Sequence, residues 1–143
     1  MLAEICRRCR AMEECYEFML AYAAQGLTIE CGSQSSSEIR EILQRAVDAL
    51  EGLADACVAA VNAAALKPAE KYVAFLAVLD RDAHDSIRTI ELVLAQPTIS
   101  SQLIDNLNAS MHLRAMLTDL FLVSDIVKQH MRSTVPAAGA VAG

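Results

Sequence analysis

Cys6, Cys9, Met12 and Cys15 stand at three-residue steps near the start of the chain. On a helix, side chains three apart are neighbours. Thiolates and thioethers are the ligands Cu(I) prefers, and thiolates also take Zn(II). The row therefore offers soft-metal binding, with Cu(I) or Zn as the ion, or thiol redox chemistry. Helical geometry narrows that offer. Three-residue steps walk around a helix by about 60° each, so the four side chains cannot all face one point. Cys9 and Met12 fall on the core stripe of the helix, and Cys6 and Cys15 on opposite flanks. Cys and Met also fill tight helix interfaces. No strand precedes the Cys6-x-x-Cys9 pair, as a thioredoxin-like motif requires. No second Cys or Cys/His pair accompanies it at zinc spacing. Cys31 and Cys57 are isolated, and His84, His112 and His130 lie far apart in sequence. Packing is the expected role of the row, and metal or redox chemistry the alternative.

Asp80, His84, Arg88 and Glu91 form a second cluster at helical spacing. A carboxylate with an imidazole can bind a metal or move a proton. Di-iron bundles use Glu-x-x-His, and this chain contains none. Surface pairing of Asp80 with His84, and of His84 with Arg88, is the expected outcome. The chain also lacks a glycine-rich phosphate loop, a Gly-x-Ser-x-Gly elbow and a His-Glu-x-x-His pair. With five glycines in 143 residues there is little loop in which to build an active site. The expectation is a protein that is not an enzyme.

Composition limits the setting. At 55% AVILMFWYC and 21% charged residues the chain is too apolar to be disordered. With no Trp and 4% aromatic residues it favours helices over strands. The net charge of −6, with scattered Lys and Arg, argues against nucleic acid as a partner. The basic trio Arg7, Arg8 and Arg10 is followed by Glu13, Glu14 and Glu17, and reads as a solvated face paired along the helix. No uncharged run approaches the roughly 20 residues of a membrane span. No signal-peptide pattern is visible, and an odd count of five cysteines suits thiols in the cytoplasm.

These residues must be positioned by helices. Periodicity and punctuation predict four, at about 3–24, 37–65, 68–95 and 98–132, followed by a flexible tail over 134–143. Gly26 supplies the first stop. Ser35 and Glu38 fit a capping box, with Ser36 or Ser37 as other caps. Pro68 opens the third helix, and Gln96-Pro97-Thr98 separates it from the fourth. Ile39, Ile42, Leu43, Ala46, Leu50, Leu53, Cys57, Val61 and Ala64 line one face of the second helix. Tyr72, Leu76, Leu79, Ala83, Ile87, Ile90 and Leu94 line one face of the third. Leu27 to Glu30 is the one short strand-like stretch. Short links force antiparallel neighbours. The predicted fold is all-α: one domain over residues 1–133, an antiparallel up-down-up-down four-helix bundle. One long helix kinked at Pro68 is the competing arrangement, and it costs about 3 kcal/mol.

The first and fourth helices are apolar over more than one face. The first carries Leu2, Ile5, Cys9, Met12, Tyr16, Met19 and Ala23 on one stripe, and Cys15, Phe18 and Tyr22 on another. The fourth carries Leu113, Met116, Leu117, Leu120, Phe121, Val123, Ile126 and Val127. Such surplus implies a partner, most simply a second copy in a two-fold dimer. The expected function is a protein–protein interaction module, an adaptor, chaperone or regulator, with Cys15, Phe18, Tyr22, Leu120 and Phe121 at its interface. Two alternatives stand beside it. One is a Cu(I), Zn or thiol-redox bundle using Cys6, Cys9, Met12 and Cys15. The other is a bundle with an apolar ligand site between helices.

Overall fold

A computed structural model describes residues 2–26 and 34–134. The strand-like stretch Leu27 to Glu30, Cys31 and the tail from residue 135 onward lie outside the described residues. Within them the protein is all-helical, with no strand. Six helices replace the four expected: α1 (Leu2–Ala24), α2 (Gln34–Leu50), α3 (Leu53–Ala63), α4 (Ala69–Leu94), α5 (Ser101–Ala109) and α6 (Met111–Thr134).

The difference arises because two of the expected helices are each broken once. The second breaks at Glu51-Gly52, where Gly52 has φ of 74°, left-handed backbone that glycine adopts without steric cost. The expected fourth helix breaks at Ser110, whose ψ of 129° is extended. It also starts later than expected, at Ser101, because the Ser100 side chain accepts a hydrogen bond from the Leu103 amide and caps α5. At α2 the start falls earlier: it begins at Gln34, ahead of the serines read as its cap. Pro68 precedes α4, which runs unbroken as expected, and the Lys67–Pro68 bond is cis.

Long-range hydrogen bonds tie the helices end to end in antiparallel pairs. Arg8 near the start of α1 donates to the carbonyls of Ala49 and Glu51 at the end of α2. Arg40 near the start of α2 donates to the carbonyls of Leu94, Gln96 and Pro97 at the end of α4. At the far end of α1, the Tyr22 hydroxyl donates to the Ile99 carbonyl at 2.5 Å, and Ser101 Oγ donates back to the Tyr22 carbonyl at 2.6 Å. Tyr72 at the start of α4 meets His130 near the end of α6.

One core draws on all six helices. The stripe predicted on residues 39–64 is buried apart from half-buried Ile42 and exposed Ala64. On α4, Leu76, Leu79, Ala83 and Ile90 are buried, and Tyr72, Ile87 and Leu94 pack at the margin. The buried face of α1 departs from a straight stripe. Ile5, Cys9, Met12 and Met19 point inward as expected, but Cys15 and Tyr22, expected on a second face, join them, while Tyr16 is exposed. The reason is that α1 packs on α2, α3, α5 and α6. Its far end is covered by the start of α5, through Tyr22, Ile99 and Ser101. A helix with different neighbours along its length must turn its apolar face to follow them.

Candidate functional site

The soft row does not form one site. Cys6 is exposed, and Cys9, Met12 and Cys15 are buried in the core. Cys15 lies with Met19, its Sγ 3.7 Å from the Met19 sulfur, and burial pushes its thiol up to about 12. Burial likewise pushes Cys57 up to about 11 and raises Cys9, the latter against a hydrogen bond from Ser124 that favours its thiolate. The thiol is therefore the resting form at all three positions near neutral pH. What tertiary structure adds beside Cys9 is not Met12 or Cys15 but Cys57 of α3, whose thiol the charge of Cys9 would raise, as the charge of Cys6 would raise Cys9. Among the described residues no group of three or more His, Cys, Asp or Glu is placed to hold a metal ion.

The histidine cluster on α4 lies on the surface. His84 Nδ1 lies 2.8 Å from the Asp80 carbonyl and 3.3 Å from its carboxylate, with both side chains more than half exposed. Arg88 reaches Asp85 rather than His84, at 3.9 Å, and His112 of α6 approaches the same carboxylate at 3.9 Å. Exposed pairs of this kind contribute little to stability.

The residues expected at an interface divide in two. Cys15, Tyr22 and Leu120 are enclosed in the chain's own core, at 1% exposure or less. Phe18 is half-buried and stacks on Tyr22, with ring centroids 6.4 Å apart. Phe121 remains on the surface at 45% exposure, beside Leu122 at 48%. Two residues that pattern reading did not place there accompany them: Tyr16 at 37% and Leu20 at 45%. Glu13, Tyr16 and Leu20 follow one another at i, i+3 and i+7, and so share a face of α1. Glu13 also borders a surface groove with Phe121, Leu122, Asp125 and Lys128 of α6. Adjacent helices α1 and α6 thus each expose apolar side chains, here called the α1–α6 strip, and Glu13, Asp125 and Lys128 bring charges of both signs to the groove between them. Only Phe121 of this set was legible beforehand, since Tyr16 fits the inward stripe of an ideal straight helix as well as Met19 does.

Two carboxylates come together between α4 and α6. Asp119 lies against Asp82, and one of its oxygens, Oδ2, is buried without a hydrogen-bond partner. Burial first, then a hydrogen bond and the charge of Asp82, push the Asp119 carboxyl up to about 7. Two ionised carboxylates cannot donate to each other, so a proton held on Asp119 is what lets this pair bond. No helix among the described residues is long and apolar enough to cross a membrane. Compared with protein-family models, curated proteins and solved structures, the chain shows no significant match to any.

Proposed function

We propose that the chain is a non-enzymatic protein–protein interaction module that pairs with a second copy of itself through the α1–α6 strip, in the manner of an adaptor, chaperone or regulator. The observation that supports it is the exposure of Tyr16, Leu20, Phe121 and Leu122 on two adjacent helices. Aromatic side chains and leucines left in water on neighbouring helices favour association, and buried aromatic anchors carry much of the energy of such contacts. A two-fold pairing brings the strip against itself. Lys128 of one copy can then meet Glu13 or Asp125 of the other, which matches the mixed charges along the groove. In this reading the six helices act as four antiparallel segments, two of them bent, and the cytoplasm is their compartment.

The buried positions dictate which variants test it. Replacing Tyr22 removes a core side chain and its hydrogen bond to Ile99, and so tests folding rather than assembly. Leu20→Asp combined with Phe121→Asp places two charges on exposed sites. Sedimentation velocity at roughly tens of micromolar protein is expected to show a dimer for the wild type and a folded monomer for the double variant. A monomeric wild type at that concentration defeats the proposal.

A further inference from the structure

The end of the molecule where α1 begins and α6 ends contains an apolar cavity of about 90 Å³. Leu2 and Ile5 of α1, Ala60 and Val61 of α3, and Val127 and His130 of α6 form its wall. Protein interiors hold few voids larger than a water molecule, and one water needs only about 10–15 Å³ measured in this way. The hollow is therefore several times larger than ordinary packing leaves. Its origin is local: Ala60 of α3 and Ala64 just past its end line the gap next to α1 and α6, where larger side chains would close it. Water is a poor occupant, because it needs two to four polar partners. The wall offers aliphatic side chains, the Cys57 thiol and one imidazole.

We propose that this cavity is a binding site for the end of an unbranched alkyl chain that carries a small polar head. Two features of the wall select that ligand class. Apart from His130 and Cys57 the side chains are aliphatic, so they offer dispersion contacts rather than rings to stack on. The one strongly polar group is His130, whose Nε2 lies 3.1 Å from the Tyr72 hydroxyl. The Tyr72–His130 pair links α4 to α6 beside the cavity and gives the head a polar neighbour while the chain lies among Ile5, Val61 and Val127. The site draws on no residue of the α1–α6 strip, so it stands or falls apart from self-association.

The test is a titration of the full-length protein with n-alkanols from butanol to decanol, read by amide chemical shifts. Binding is expected to be saturable, with the largest shifts at Ile5, Val61 and Val127. Affinity is expected to rise about fourfold per added methylene, which is about 0.8 kcal/mol converted, and then to level off once the cavity is full. Ala60→Leu fills the hollow and is expected to weaken binding at least tenfold, whereas Phe121→Ser on the exposed strip leaves it unchanged. The absence of saturable binding overturns the proposal. So does undiminished binding to folded Ala60→Leu, or shifts confined to the Phe121 and Leu122 surface. If Ala60→Leu does not fold, Val61→Ala decides. It enlarges the cavity and is expected to move the plateau to longer chains, and an unmoved plateau overturns the proposal.

Discussion

Arg8 Nη1 on α1 donates to the carbonyl oxygen of Glu51, 43 positions away, just past the last residue of α2. The same nitrogen lies 2.9 Å from the Ala49 carbonyl, and Arg8 Nε is held at 2.9 Å by Glu4. The last carbonyls of a helix lack partners within it and carry the negative end of its dipole. Arg8 therefore caps α2 from another helix. Arg40 does the same for α4, with donor distances of 3.0, 2.8 and 3.2 Å to the Leu94, Gln96 and Pro97 carbonyls.

Replacing either arginine by methionine keeps much of the apolar stem and removes the donors. Each change is expected to lower stability by about 1–2 kcal/mol, since hydrogen bonds to charged groups are worth more than neutral ones. Arg7→Met should cost far less. Arg7 is 64% exposed and, among the described residues, reaches only Glu4, whose carboxyl Arg7 first and Arg8 second hold down to about 2. Urea unfolding of the three variants measures the contrast, and equal losses for Arg7 and Arg8 would refute the cap.

Ala65 has φ of 51° and closes α3. The Leu66 amide donates to the Val61 carbonyl and the Ala65 amide to the Asn62 carbonyl, the paired bonds of a Schellman ending, and Leu66 is buried beyond them. An alanine in left-handed backbone carries a steric cost of roughly 1–2 kcal/mol that glycine escapes, partly offset by glycine's greater freedom when unfolded. Ala65→Gly is expected to stabilise the protein by about 1 kcal/mol. Thermal unfolding would show a higher midpoint, and a lower one would contradict the assignment.

Asp119 supplies a pH dependence with a definite sign. Its carboxyl is raised from 3.8 to about 7 by burial and by Asp82. Between these values the native state holds a proton that the unfolded chain releases. Its stabilising share is complete below about pH 4 and is lost as pH rises through 7. Asp119→Asn keeps the shape, offers a donor to Asp82 and does not ionise. It is expected to raise stability at pH 8 by on the order of 1 kcal/mol, allowing for solvent screening, and to leave stability at pH 4 nearly unchanged. Denaturant midpoints across that range measure the slope, and parallel curves for the two proteins would exclude the effect.

Cysteine reactivity should follow burial rather than position in the row. With iodoacetamide at neutral pH, exposed Cys6 is expected to alkylate quickly. Cys15 and Cys57, enclosed and held as thiols near 12 and 11, should react only as fast as the protein opens. Peptide mass spectrometry over time separates the sites. Rapid labelling of Cys15 would place it at the surface.

Much of the helical layout was legible in residue order, because period and punctuation act locally. The 3.6-residue period of Leu76, Leu79, Ala83 and Ile90, opened by Pro68, defines α4 with its neighbours unknown. Gly52 carried a readable signal for the break after α2, since glycine is the residue that enters left-handed backbone freely, yet the apolar stripe runs straight through it and hides the break. Ser110 carried no such signal, as serine is common both in helices and in their caps.

The candidate sites divide along the same physical line. Sequence by itself determined an all-helical fold over the described residues, with more apolar surface than one narrow seam per helix. It also separated Cys6 from the core thiol Cys9, while Cys15, expected on a flank, is buried with Cys9. Only tertiary structure decided which surplus side chains stay in water. Tyr16 and Tyr22 are both compatible with a buried face of α1. The arrival of α5 over Tyr22, through Ile99 and Ser101, encloses one and leaves the other exposed. The cavity between α1, α3 and α6, the Asp82–Asp119 pair and the arginine caps are likewise contacts between residues distant in sequence, and a helical period carries no information about which helix lies opposite.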